Sequence, residues 1–340
     1  MGLSVELAEE ATVSGTVTVP MLDGVGLATD VYLPPAAGGR VPAVLSRVPY
    51  DRRGPLCYLP TLAARYLDRG WAFVAQDVRG KFASEGERVP FVHEVEDGWA
   101  TLEWIAAQPW CDGRVVMIGD SYCGYTQLAA ASSGHPALAA IAPRVTSAEI
   151  TDDWLFRQGV PCLSTAAAWA LFAWSAPDLI DGPWDYARPP HDELAVRGLG
   201  RRLRVLDEWF GPAPQHNAQL ASWSVPTLHL AGWWDVFQRG QFATWARNRT
   251  QRPAATWLHV DATDHQWTEI RRDGTAASGR SASGAPTVAF VDRYLAPINA
   301  FFDHVLEGSP PRPAIDIDVV GHGRMTPESW PPPASSRTPG

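Results

Sequence analysis

The chain has 340 residues, a formal net charge of −9 and 46% hydrophobic side chains. That length supports ample core for one large α/β unit or two smaller ones, and an acidic balance without Lys/Arg clusters excludes a polyanion-binding surface, hence no nucleic-acid partner is expected. Four cysteines without C-x-x-C spacing fit reduced thiols and a cytoplasmic location, no apolar run is long enough for a bilayer, and the acidic residues 1–12 do not resemble a secretory signal.

Residues 13–19 and 26–33 alternate as strands around the Asp23-Gly24 turn and predict an antiparallel hairpin, with 41–47 a third strand beyond Pro34-Pro35. Helical spacing over 56–69 stops at Gly70, and 71–76 is a fourth strand leading into Asp77-Val78-Arg79-Gly80. Residues 94–107 form an amphipathic helix through Trp99, Leu102 and Ile105, closed by Pro109. Then Val115-Val116-Met117-Ile118, a bounded and mostly β-branched run, drives into Gly119-Asp120-Ser121-Tyr122-Cys123-Gly124 and an Ala-rich helix. Residues 138–143 are a further strand.

Regular alternation stops there and resumes at 225. The interval 150–224 holds six of the sixteen tryptophans (Trp154, Trp169, Trp174, Trp184, Trp209 and Trp223) and helical patches at 164–174 and 193–210. It is expected to be an inserted helical cap that forms a substrate pocket. Strands follow at 225–232 and 256–260, then a helix over 288–306 containing Pro297 and stopped by Gly308, a strand at 314–320, and a Pro/Ser-rich tail, 331–340, expected to be disordered. Strands separated by helices predict an α/β fold, a mostly parallel central sheet with helices on both faces. The divisions expected are a core in two parts, 1–149 and 225–312, the cap between them, and a terminal unit, 313–340.

Strand, sharp turn and helix around Ser121 have the form of a nucleophile elbow, although Cys123 stands where the usual second glycine would and Gly124 follows one place later. A serine hydroxyl is a poor nucleophile at neutral pH and needs a histidine base held in one tautomer by a carboxylate. In this fold the partners follow the serine in the order Asp or Glu, then His, each just past a strand; Asp235 and His265 fit. Asp77 precedes the serine and is expected to form a structural ion pair with Arg79. His229 and His259 lie inside strands, Cys123 is expected to be a packing residue, and His93 with Glu94 and Glu96 lacks H-e-x-x-H spacing, so neither a metal nor another cofactor is expected.

Several stretches together resemble the cocaine esterase and X-Pro dipeptidyl-peptidase group of α/β-hydrolases over residues 17 to 330. They are Val19-Pro20-Met21-Leu22-Asp23-Gly24, Pro49-Tyr50-Asp51, the run from Gln76 through Gly86, Trp110-Cys111-Asp112-Gly113, the elbow, Ala231-Gly232-Trp233-Trp234-Asp235 and Phe301-Phe302-Asp303-His304. The resemblance implies Ser121 as nucleophile, His265 as general base and acid, Asp235 as its orienting partner, and an oxyanion hole made by the Tyr50 hydroxyl and the Tyr122 backbone amide. It also makes Asp153 similar to one of three carboxylates that hold a substrate ammonium in some members; Val236-Phe237-Gln238 replaces the other two. Trp154, Trp169, Trp234 and Phe237 complete the expected substrate-binding set.

The activity implied is hydrolysis of an ester or activated amide with an apolar or aromatic group, through an acyl-enzyme. The alternatives are release of X-Pro dipeptides and biosynthetic acyl transfer or lactone formation. The resemblance further implies that 314–320 is the first strand of a carboxyl-terminal jelly-roll; a lone terminal strand leaves an edge unpaired, so a partner or a homodimer is expected to cover that face, the alternative being a truncated, less stable chain with a widened pocket.

Overall fold

A computed structural model describes residues 6–35, 39–170, 173, 187, 193–200, 202–210, 220, 222–270, 275–278, 285–310, 313–319 and 322–331. The hairpin β1 (Gly15–Pro20) and β2 (Gly26–Tyr32) is antiparallel, and β2 continues antiparallel onto β4. The strands that follow are β3 (Val41–Val48), β4 (Ala72–Asp77), β5 (Cys111–Asp120) and β6 (Leu138–Arg144). Between them lie α1 (Leu59–Asp68), α2 (Glu94–Ala106) and α3 (Tyr122–Ser133). Helix α1 starts three residues later than its spacing suggests, because Pro60 occupies its first turn, where a missing N–H costs nothing.

From Ile150 the chain runs through a π-helical turn (Ile150–Leu155), the short hairpin β7 (Phe156–Arg157) and β8 (Val160–Pro161), a second π-helical turn (Leu163–Ala167) and α4 (Ala168–Ala170). The single helix expected over 193–210 is two, α5 (Leu194–Leu199) and α6 (Arg204–Phe210), since Gly200 turns left-handed and ends the first. Trp174, Trp184 and most of the expected end of the 164–174 helix lie outside the described residues, as does 332–340. The chain then resumes with β9 (Thr227–Trp234), α7 (Gln238–Gln251), β10 (Thr256–Asp264), the hairpin β11 (Thr268–Ile270) and β12 (Ala276–Ser278), α8 (Val288–Glu307), β13 (Ile315–Val319) and β14 (Gly323–Met325).

The sheet order is β1-β2-β4-β3-β5-β6-β9-β10, with β11-β12 and β13-β14 both continuing from β10. All pairs from β4 through β10 to β13 are parallel. Successive side chains of a strand point to opposite faces, and here both faces are covered. Leu45, Val74, Val115 and Met117 enter the core under α2 and α3, where Trp154, Leu206, Trp209 and Trp223 also pack. Val44, Phe73, Val116 and Ile118 enter the core under α1 and α8.

One expectation needs correction. Asp77 does not pair with Arg79: its carboxylate takes Arg52, while Arg79 reaches Asp97 and Asp23 from the turn beyond. Sequence proximity is a poor guide here, because Asp77 is the last residue of β4 and Arg79 lies in the turn past its end. The expected strand at 314–320 is present as β13. Strand β13 pairs in parallel with β10, Ile315 opposite Leu258 and Ile317 opposite Val260, and both isoleucines are buried. Its other side pairs with β14.

Candidate active site

Strand β3 lies between β4 and β5, so the chain crosses from one side of β3 to the other between successive parallel strands. In open α/β sheets such a reversal opens a crevice at the carboxyl ends of the strands. Tyr50 follows β3, Ser121 follows β5, Asp235 follows β9 and His265 follows β10, all at that end.

Ser121 has φ 56° and ψ −120°, a left-handed, strained backbone for a non-glycine residue. The turn is held by its own amide donating to Arg144 O at 2.9 Å, and by the Gly124 and Tyr125 amides donating to Ser121 O. The glycines explain the altered spacing of the elbow. A Cβ on Gly119 would lie 2.5 Å from Cys123 Cβ, and one on Gly124 would lie 2.8 Å from Thr146 Cβ. Cysteine therefore fits at 123, facing a glycine, and the close approach of α3 to the loop after β6 falls at 124.

His265 Nδ1 lies 2.5 Å from Asp235 Oδ2, and its Nε2 lies 3.1 Å from Ser121 Oγ. An ionised carboxylate only accepts, so Nδ1 carries the proton and the Nε2 lone pair faces the serine hydroxyl. Asp235 is buried, with its Oδ1 accepting from the Phe237 amide at 2.7 Å. Burial disfavours a charged His265, but the bond to Asp235 and that residue's charge, then Asp120 and Asp264, outweigh it and hold the imidazole above its ordinary value.

The Tyr50 hydroxyl accepts from Trp169 Nε1 at 2.8 Å, and burial pushes the phenol upward, so it keeps its proton. Tyr122 supplies the first amide of α3, at the helix end where amides lack intrahelical acceptors. Its side chain is anchored away from the serine, donating to Glu94 Oε1 at 2.7 Å and accepting from the Phe91 amide. Arg47 in turn holds Glu94 Oε2 at 2.7 Å. Nothing in the sequence pattern marks Glu94, a first-turn acid of α2, as the support of the elbow helix.

A cavity of about 200 Å³ opens on Ser121 and His265, walled by Tyr50, Cys57, Tyr58, Asp120, Trp169, Trp267 and Tyr294 among others. Of the expected substrate-binding residues only Trp169 lines it. Trp154 and Phe237 line a smaller crevice of about 10 Å³ on the other side of Ser121, with Trp169 shared between the two. Asp153 and Trp234 line neither. Asp153 is buried, paired with Arg239 at 3.3 Å, and sits so close to Gly240 that a Cβ there would lie 2.0 Å from its Oδ2. Trp234 turns outward and is 47% exposed. The cavity walls come from the start of α1, the residues after β10 and the face of α8, which no local motif joins. Among the described residues no His/Cys/Asp/Glu group is arranged to hold a metal ion.

The sequence matches the X-Pro dipeptidyl-peptidase (S15) family profile over residues 23–267, more than half of the chain. The chain belongs to that family. It is 33% identical to the cocaine esterase of Rhodococcus sp. (strain MB1 Bresler), in an alignment covering 96% of this chain and 62% of that relative. It thus spans less than two thirds of the relative's length. Among solved structures, an aminopeptidase from a marine sediment Thaumarchaeota archaeon superposes with a TM-score of 0.70 at 20% identity, covering 97% of this chain and 60% of that one. A CocE/NonD family hydrolase from Staphylococcus aureus gives 0.65 at 21%, covering 95% and 56%. The fold of this S15 member is the α/β-hydrolase fold. No helix among its described residues is long and apolar enough to cross a membrane.

Proposed function

We propose that this S15 chain is a serine hydrolase that cleaves small-molecule esters, or activated amides, bearing an apolar or aromatic group. The observation that carries the reading is the continuous contact from Asp235 through His265 to Ser121 Oγ. In this reading His265 takes the serine proton as Oγ attacks the carbonyl carbon, and Asp235 stabilises the imidazolium that forms. The tetrahedral oxyanion is met by the Tyr50 hydroxyl and the Tyr122 amide. Collapse expels the alcohol, protonated by His265, and water then repeats the sequence on the acyl-enzyme.

An aromatic preference is supported by Tyr58, Trp169, Trp267 and Tyr294 around the cavity. Dipeptide release from X-Pro substrates, the activity in the family's name, needs an acid facing the substrate amine. The Arg239 pairing of Asp153 works against that residue in this role. The described residues between 150 and 224 act as the cap, through Trp169 and Trp154. Four free cysteines favour a reducing, cytoplasmic setting. A homodimer is the assembly proposed, and light scattering on the eluting peak tests it, with a monomer mass at micromolar concentration removing it. The activity itself is tested with a fluorophosphonate probe. Mass mapping should place the label on Ser121, and Ser121→Ala should take none; a label elsewhere overturns the assignment.

A further inference from the structure

Most of the catalytic cavity's wall is apolar or aromatic, yet Ser46 and Asp120 also line it. Alternation along β3 puts Ser46 on the same sheet face as Val44 and Val48, the face covered by Tyr58, Leu59, Leu62 and Tyr294. Ser46 is fully buried, and its Oγ meets no hydrogen-bond partner among the described residues. A buried hydroxyl left unbonded is a standing cost, which a ligand atom that bonds it removes. Asp120 ends β5, the strand beside β3, and the alternation that buries Val116 and Ile118 on that face carries its side chain there too. Its Oδ1 accepts from the Tyr294 hydroxyl at 3.1 Å. Burial pushes its carboxyl up to about 6, so at neutral pH it is ionised and only accepts.

We propose that Ser46 and Asp120 are specificity-determining residues that receive a hydroxyl on the alcohol part of the substrate, so that the preferred substrates are esters of aromatic alcohols bearing a second hydroxyl. This rests on the ester-hydrolase reading and names the substrate class within it.

The alcohol part is placed by proton transfer. His265 must hand its proton to the leaving oxygen, so the alcohol leaves on the side that His265 faces. His265 lines this cavity, whereas the smaller crevice beyond Ser121 is lined by Tyr122, Tyr125, Trp154 and Phe237 among others. A hydroxyl suits both polar residues, since it donates to the Asp120 carboxylate and accepts from Ser46. An anion would meet Asp120 as a like charge. An ammonium is disfavoured from the other direction: the Arg144 guanidinium already stands 3.3 Å from the ring centroid of Trp267, which walls the cavity, and His265 becomes cationic during turnover.

The test measures kcat/KM of the full chain on meta- and para-hydroxyphenyl acetate and on the matching methylphenyl acetates, whose leaving groups are close in size and acidity. At least one hydroxyphenyl ester should be favoured over its methyl counterpart by on the order of 10-fold or more, because the methyl group leaves the buried polar atoms unpaired. Ser46→Ala and Asp120→Asn should each lower that ratio. Each ratio compares two esters on one variant, so the effect of Asp120→Asn on His265 cancels. As Ser46 Oγ has no hydrogen bond to lose, Ser46→Ala should unfold at an unchanged or higher denaturant concentration. Equal rates on all four esters, a preference for the methyl esters, a ratio that survives either substitution, or a clearly lower unfolding midpoint for Ser46→Ala would each overturn the proposal. Calorimetry with resorcinol and hydroquinone against the cresols reads the same preference without turnover, so a failed ester-hydrolase reading and a failed hydroxyl site are told apart.

Discussion

At the residue scale the account depends on three side chains and two donors, each with its own signature. Replacing Tyr50 by Phe removes a hydroxyl and little volume, so kcat should fall by roughly 100- to 1000-fold with KM nearly unchanged. Steady-state kinetics on an aryl ester checks this, and an unchanged kcat assigns the oxyanion to another group. Trp169→Phe tests the support behind it: loss of one N–H donated to Tyr50 should cost about 1 kcal/mol, roughly fivefold in kcat. His265 must be neutral to accept the serine proton, and its folded-state value is raised, by Asp235 first among the groups that favour the charged ring. Activity should therefore rise with pH, along a limb centred above about 6.5. Asp120→Asn removes a negative charge that favours the imidazolium, so the midpoint should move down. A flat profile from about pH 5 to about 8 contradicts the base assignment. Ser121, Asp235 and His265 were legible in the sequence because each sits just past an apolar strand run, in the order the fold imposes. Asp120, Cys57 and Trp267 were not, since they meet only where three separate elements converge. For Asp153, a motif match carries no information about Arg239, which pairs with it across 86 residues of chain.

At the element scale, the elbow helix α3 is the part most constrained by packing. Gly124→Ala would place a methyl 2.8 Å from Thr146 Cβ and 3.0 Å from Arg144 O. Such overpacking should cost about 1–3 kcal/mol, seen as a lower midpoint in denaturant, and should depress kcat more than a surface change of equal stability cost. An unchanged midpoint would mean that α3 can withdraw from the loop after β6. The strands of the core were readable from their apolar runs, since a parallel strand covered on both faces leaves little else in its sequence. The segment between β6 and β9 was readable as helical patches in an otherwise irregular stretch, without their bounds. Trp154, in its first π-helical turn, packs edge-on against Phe91, a contact between distant residues that periodicity does not report.

At the scale of the whole molecule, β13 extends the central sheet beyond β10. Its alternating pattern was visible, but its partner was not: pairing with β10 joins residues far apart in sequence. Burying Ile315 and Ile317 against Leu258 and Val260 is worth about 1.5–3 kcal/mol per side chain. A chain ended before residue 313 should therefore lose cooperative thermal unfolding, measured by calorimetry, whereas a retained transition would make β13 dispensable. The central claim is that chemistry passes through an acyl group on Ser121. Rapid quenching of the chain with an aryl ester, followed by intact mass, tests it most directly. The account predicts a transient adduct of one acyl mass, mapped to the Ser121 peptide and absent in Ser121→Ala. Product formed at full rate by Ser121→Ala, or an adduct carried on any other residue, would contradict it.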